Sequence, residues 1–364
     1  MTTTGTDTAP LTKTALIAGA TGAAATRLVE ELLRDPDWSV VGVARRPPVS
    51  QHPRLRYIAA DLTDPAAAAR AIAPETAITH LVYACRAPFK EGGVEDVDGN
   101  VTLLRTVLDA TETAAPGLAH VHLVEGAKWY GLHIGAPITP SREDAARHMP
   151  PNFYYDQQDL LAERARTAKW TWSASRPNLI YDFAPQRARN IVSVIGAWAT
   201  ISKELGLPLD FPGKAATYDA ICDLTDASQL ARGIKWMLTA ETARNEAFNL
   251  TDGDLFRWKQ LWQRVADHFG MAVGTPRDWR LETWMANKGP LWRDIAGRHG
   301  LVEPDITRIA PWGFADFVFH QAYDVLSIMT KIRIAGFHDT IATEANLIAH
   351  IERYQDARIL PRYR

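Results

Sequence analysis

A glycine-bearing turn near the N-terminus is the first feature able to do chemistry. The apolar run Ala15-Leu16-Ile17-Ala18 passes into Gly19-Ala20-Thr21-Gly22-Ala23-Ala24-Ala25, and a helix-like segment follows. Gly19 permits a tight turn. Gly22 lets the backbone approach a pyrophosphate, whose charge then sits on the helix N-terminus. Ala25 stands where a third glycine is usual and is small enough for helix to meet strand. The strand, loop and helix order makes this informative, because glycines alone are a weak signal. The second strand ends Val43-Ala44-Arg45-Arg46-Pro47, with two guanidiniums and no acid. A ribose 2′-hydroxyl calls for a carboxylate there, whereas guanidinium forks match a 2′-phosphate and stack on adenine. The expected cofactor is NADPH/NADP+. Asp61, after the third strand, either accepts from the adenine amine or caps the next turn.

A second constellation lies further on. Tyr155, Asp159 and Glu163 fall at i, i+4 and i+8, which reads as one face of a helix predicted over 157–168 and opened by Tyr155. Lys128 follows the strand 120–124 in Glu125-Gly126-Ala127-Lys128-Trp129-Tyr130-Gly131. In a doubly wound sheet the carboxyl ends of strands face the ligand crevice, so Lys128 and Tyr155 are expected to converge there. An amine beside a phenol biases both toward donating to a developing oxyanion. Arg86, next to Cys85 past the fourth strand, either faces the pocket and favours a polar or anionic substrate or turns to solvent. Trp312, Phe314, Phe317 and Phe319 read as pocket wall or as core. Trp258 and Trp262, at i and i+4, read as packing. The eleven histidines show neither an i, i+4 pair nor a His-Glu-x-x-His run, so no metal is expected.

The elements that must position these groups alternate. Strands are expected at 15–18, 39–44, 55–60, 80–84, 120–124 and 170–176. Helices are expected at 22–33, 66–73, 101–114 and 157–168. Strands this apolar imply a parallel sheet covered on both faces: an α/β, Rossmann-type doubly wound fold. After about residue 185 the pattern loosens into helices, turns and tryptophans. The expected organisation is a flexible tail over 1–12, an NADP-binding Rossmann core over 13–185, and a smaller, mainly helical substrate-binding or lid region over 186–364. With 364 residues, 46% of them apolar, the chain can bury a sizeable core. Its 40 basic and 42 acidic side chains nearly cancel, so neither nucleic acid nor an anionic membrane surface is an expected partner. Two cysteines rule out a disulfide scaffold. The run 191–201 is too short to span a bilayer and reads as a buried helix. The polar N-terminus resembles no export signal, so a cytoplasmic protein is expected. A homodimer is compatible with the chain.

These residues resemble the progesterone 5β-reductase/iridoid synthase-like (PRISE) enone reductases, an atypical branch of the extended short-chain dehydrogenases/reductases. The matching stretches are Gly19-Ala-Thr-Gly22, Val43-Ala-Arg-Arg-Pro47, Lys128-Trp-Tyr-Gly131 and Asn152-Phe-Tyr-Tyr155 with Asp159. Further matches are Thr171-Trp-Ser-Ala-Ser-Arg-Pro177, Gly206 to Gly213, Asn245 to Asn249, Phe256 to Trp262 and Lys331 to Gly336. Short-chain dehydrogenases normally carry Tyr-x-x-x-Lys; here Asp159 holds the lysine position and Lys128 is the substitute. The resemblance implies NADPH-dependent 1,4-reduction of an α,β-unsaturated carbonyl, with hydride to the β-carbon and the enolate oxygen bound by Tyr155 and Lys128. It implies cofactor contacts from Gly19, Thr21, Gly22, Ala23, Ala24, Arg45, Arg46, Asp61, Leu62, Cys85, Lys128, Tyr155 and Ile180. Substrate contacts are implied for Arg86, Phe153, Trp312 and Phe314. The chain departs from the family pattern at Gln158, where glutamate is usual, at Trp129 after the lysine, where histidine is usual, and at Arg86, where an aromatic residue is common. The alternatives are a carbonyl reductase, epimerase or dehydratase of the extended class, and a non-catalytic NADP(H)-binding regulator.

Overall fold

The computed structural model describes residues 13–91, 94–185, 187 and 189–363. The expected tail, 1–12, lies outside them. The first half runs β1 (Lys13–Ala18), α1 (Ala23–Leu33), β2 (Trp38–Ala44), β3 (Leu55–Ala59), α2 (Pro65–Ile72), β4 (His80–Tyr83), α3 (Val97–Ala114), β5 (His120–Val124), α4 (Phe153–Ala165) and β6 (Thr171–Arg176). The second half runs β7 (Ile180–Tyr181), α5 (Ile191–Glu204), β8 (Leu209–Phe211), α6 (Ala215–Asp219), β9 (Ile221–Cys222), β10 (Thr225–Asp226), α7 (Ala227–Met237), β11 (Glu246–Asn249), β12 (Phe256–Arg257), α8 (Trp258–Phe269) and β13 (Val273–Pro276). It closes with α9 (Leu281–Trp284), α10 (Gly289–His299), α11 (Trp312–Phe319), α12 (Thr330–Ala335) and α13 (Thr343–Asp356).

Seven strands form one sheet in the order β11-β6-β5-β4-β1-β2-β3. The six from β3 to β6 pair in parallel. Strands such as Thr14-Ala-Leu-Ile-Ala18 and Ser39-Val-Val-Gly-Val-Ala44 bring β-branched and small apolar side chains to both faces, which a parallel sheet buries. The chain order reverses at β1, which pairs with β2 on one side and β4 on the other; Ala18 sits opposite both Val43 and Tyr83. A ligand crevice opens at such a switch point.

Two helices begin earlier than expected. α3 starts at Val97 because the Asp96 side chain accepts from the Gly99 N–H. α4 starts at Phe153 because the Asn152 side chain accepts from the Tyr154 N–H at 3.1 Å. Each cap satisfies an N–H that the first turn leaves orphaned.

Two compact units make up the chain. The first holds residues 1–125, 149–175 and 231–247; the second holds 126–148, 176–230 and 248–364. The second is mainly helical, with three two-stranded sheets. Its centre is α5, buried on every side from Ile191 to Ser202, as expected for a helix apolar all round. Trp258 and Trp262 are packing residues: α8 buries both, with Leu261, Val265 and Phe269, in a pattern of helical period. Among the described residues no helix is long and apolar enough to cross a membrane.

Candidate functional site

The first unit has a cavity of about 550 Å³ at the carboxyl ends of β1, β2 and β4. Gly19, Thr21, Gly22, Ala44, Arg45, Asp61, Leu62, Cys85 and Arg86 all line it. Two backbone bonds draw the glycine turn tight, from the Gly19 N–H to the Val43 carbonyl and from the Gly22 N–H to the Gly19 carbonyl. Gly19 adopts φ +82°, and a Cβ there would meet the Ala84 carbonyl oxygen at 2.8 Å. Glycine is therefore required on both counts. Gly22 is the N-cap of α1; no side chain caps the helix and its first turn holds no acid. Ala23 and Ala24 thus open a helix whose N-terminus presents backbone N–H groups to an anion. Ala25, the third-glycine position, is buried.

These residues fit a dinucleotide. Gly19, Thr21, Gly22, Ala23 and Ala24 would hold its pyrophosphate, and Arg45 and Arg46, both exposed, a 2′-phosphate. Asp61 holds a turn, with one carboxylate oxygen accepting from the Thr63 N–H and hydroxyl at 3.0 and 2.7 Å. Those bonds, the hydroxyl's first, hold its carboxyl below the usual range. The cap of α2 falls to Asp64 instead. Burial pushes the Cys85 thiol up to about 12, so it is a neutral part of the wall.

Arg86 lines this cavity, with its charge already engaged. Its guanidinium pairs with Glu95 at 2.6 Å and lies 4.1 Å from the Phe89 ring centroid and 5.7 Å from that of Phe153. Phe153 is buried in the first turn of α4, its ring 4.3 Å from Tyr154. Tyr155 is 3% exposed. Its helix is pinned by the Gln157 side chain, which donates to the Asn100 carbonyl at 2.9 Å. Asn100 in turn accepts from the Ala87 N–H. Tyr155, Asp159 and Glu163 keep to one face of α4, which runs from the buried Tyr155 to the exposed Asp159 and Glu163. Spacing by four overshoots the 3.6-residue turn, so the row drifts around the helix toward solvent.

Lys128 belongs to the second unit. It sits half-buried in a short 3-10 turn, Ala127–Tyr130, just past β5. It lines a cavity of about 630 Å³ together with His133, Arg189, Glu282, Thr307, Trp312, Phe314 and Phe317. Trp312 and Phe314 are therefore wall residues, as is Phe317. Phe319 is core, fully buried among Phe211, Trp258 and Trp262. Ile180 is in β7, beside Thr225 of β10, and lines neither cavity. His133, Glu282 and Thr307 were not foreseen; they are far apart in sequence and no spacing links them.

A parallel sheet that reverses at β1, followed by a mainly helical second half, defines a Rossmann-type doubly wound protein. Solved structures share this fold over nearly their whole length. A short-chain dehydrogenase/reductase superfamily protein from Agrobacterium tumefaciens with bound NAD superposes with TM-score 0.65 at 14% identity, over 95% of this chain and 98% of its own. UDP-glucose 4-epimerase from Thermotoga maritima gives 0.65 at 14%, over 94% and 99%. Closer in sequence is an (S)-8-oxocitronellyl enol synthase of Nepeta racemosa, 33% identical over 95% of this chain and 93% of its own length. The 3-oxo-Delta(4,5)-steroid 5-beta-reductase of Arabidopsis thaliana is also 33% identical, over 95% and 93%. The model of the PRISE-like Rossmann-fold domain matches residues 66–361. The chain belongs to this PRISE-like family and is an oxidoreductase. The match begins after the glycine turn and Arg45, so the case for the dinucleotide rests on those residues themselves.

Proposed function

We propose that this protein reduces the activated C=C bond of α,β-unsaturated carbonyl compounds with NADPH. The observation that carries the reading is the displaced lysine: α4 presents Tyr155 with Asp159, not lysine, one turn on, and Lys128 follows β5. The relatives named a steroid 5-beta-reductase and an enol synthase support it. When bound, the cofactor supplies a hydride for the β-carbon, and solvent supplies the proton that the α-carbon takes up as the enolate becomes the saturated carbonyl. Tyr155 and Lys128 hold the carbonyl oxygen, and their N–H and O–H groups meet charge that grows as the enolate forms. Such interactions lower the barrier because they strengthen in the transition state. The apolar wall of Trp312, Phe314 and Phe317 excludes water from the carbon skeleton.

The test follows NADPH absorbance with 2-cyclohexen-1-one and progesterone and identifies the product by mass and NMR. A saturated ketone is expected. An allylic alcohol would move the enzyme to carbonyl reduction, and cofactor binding without turnover across an enone panel would favour a regulator.

The arginines carry the cofactor preference. Each charge-assisted bond to a phosphate contributes about 1.5–3 kcal/mol, so removing both with Arg45→Ala and Arg46→Ala is expected to cut kcat/KM for NADPH relative to NADH by about 10²- to 10⁴-fold. An unchanged ratio would remove the 2′-phosphate assignment.

A further inference from the structure

We propose that Trp129 and Arg176 form a clamp that aims Lys128, which makes both of them positioning residues for the amine. The inference rests on the enone reading for what Lys128 does, while the clamp itself lies wholly within the second unit.

The turn that carries Lys128 is a single short 3-10 segment. It has four residues, with one backbone bond from the Trp129 N–H to the Gly126 carbonyl and one from the Gly131 N–H to the Lys128 carbonyl. Short 3-10 segments are weak alone. Contacts from outside the turn add to its order. The Ala127 N–H donates to the Pro177 carbonyl at 3.0 Å. The residue just before that anchor, Arg176, turns a buried guanidinium onto the turn: its central carbon lies 3.5 Å from the Trp129 ring centroid. The same guanidinium donates to the Tyr130 hydroxyl at 3.3 Å and the Glu143 carbonyl at 3.4 Å. The Tyr130 hydroxyl donates to Asn249 at 2.5 Å, and Asn249 donates to the Ser141 and Ile328 carbonyls at 3.1 Å. Gly131, at φ +82°, lets the chain leave immediately. The two residues after Lys128 are thus buried and fixed, and Lys128 lines the cavity.

The chemistry explains why an aromatic ring suits this place. A buried guanidinium needs compensation. A carboxylate there would also attract the neighbouring ammonium and draw it out of the cavity. A π face stabilises a desolvated Arg176 without offering Lys128 a counter-ion. The nearby Glu143 contributes its backbone carbonyl to Arg176, while its carboxylate accepts the Asn249 N–H at 2.8 Å. Trp129 is one of the positions where this chain departs from the pattern it resembles, and the stack gives that departure a purpose.

The test reads Lys128 directly. Lysines are reductively methylated with a 13C label, and the Lys128 resonance is assigned by its loss in Lys128→Arg. In Trp129→Leu the resonance is expected to move toward the free-lysine position and sharpen. Turnover of 2-cyclohexen-1-one is expected to fall about 10- to 100-fold in kcat, with its KM and the NADPH Kd within about twofold, because misplacing a reacting group by about 1 Å costs that much. Trp129→Phe, which keeps a π face, should restore most of both readouts. Arg176→Lys keeps the charge but loses the planar stack, and should reproduce the displaced resonance even if Trp129→Leu fails to fold. A Lys128 resonance unchanged in a folded Trp129→Leu protein overturns the clamp. Undiminished turnover in Lys128→Met overturns the oxyanion role instead, and the resonance then decides the clamp alone.

Discussion

Replacing Tyr155 with phenylalanine is expected to lower kcat for enone reduction by about 10²- to 10³-fold, the loss typical of one oxyanion donor. The side chain is 3% exposed and sits in the first turn of α4. That turn is capped by Asn152, and Gln157 ties the helix to the Asn100 carbonyl. The phenol is therefore ordered before substrate arrives, which is what gives such a donor its value. Phenylalanine keeps the ring and its packing, so the melting temperature should stay within a few degrees. The KM should change little, because the lost interaction belongs to the transition state. Combining Tyr155→Phe with Lys128→Met should cost much less than the product of the single effects, since two donors to one oxygen act as a unit. Steady-state kinetics on the four proteins decides it. A Tyr155→Phe enzyme within twofold of the parent would remove this residue from the reaction.

Much of this arrangement is legible in the chain, and the parts that are not have identifiable causes. The parallel sheet shows because its strands are apolar on both faces, and the glycine turn shows because it falls between a strand and a helix. The early start of α4 was missed because Phe153-Tyr154-Tyr155 are modest helix formers. The usable signal was Asn152, a good N-cap residue directly before them. Tyr155, Asp159 and Glu163 share a face of α4, as their spacing requires, but the spacing does not show that the face passes from core at Tyr155 to solvent at Glu163. Arg86 was open to two readings; its partner Glu95 is nine residues away, and no local rule pairs them. His133, Glu282 and Thr307 meet at one cavity only through tertiary folding. Trp258 and Trp262 were legible as packing because their spacing belonged to a longer helical period.

Acid should weaken the first unit through histidines that metal-site patterns pass over. His120 and His122 lie on one face of β5, opposite Thr171 and Ser173 of β6. Their rings alternate with hydroxyls: Thr171 to His120 at 2.9 Å, His120 to Ser173 at 2.7 Å, Ser173 to His122 at 2.8 Å and His122 to Ser175 at 3.0 Å. One proton per ring completes this ladder, with the Ser173 hydroxyl accepting from one ring and donating to the other. His80 on β4 bonds Thr79 at 2.8 Å. Burial drives all three imidazoles toward the neutral form, His80 down to about 4, His120 to about 3 and His122 well below its ordinary value. Below about pH 6.5 the unfolded chain takes up a proton at each ring that the folded chain refuses, so stability falls as pH falls. Each ring contributes a slope of about 1.4 kcal/mol per pH unit between pH 6.5 and its folded value. Asp223 and Asp252 in the second unit act oppositely. Burial raises both to about 7, so the folded chain binds their protons first and they favour the fold on acidification. The histidine term is therefore isolated as a difference. Urea unfolding of the parent and of a His120→Gln, His122→Gln protein is compared at pH 7, 6 and 5. The amides can still bridge the hydroxyls but do not titrate. The variant is expected to be less stable at pH 7, and to lose stability more slowly on acidification, by up to about 2.7 kcal/mol per pH unit below pH 6.5. Parallel pH dependences for the two proteins would mean that these rings take up protons as readily in the fold as in the unfolded chain, which would overturn their burial as neutral groups.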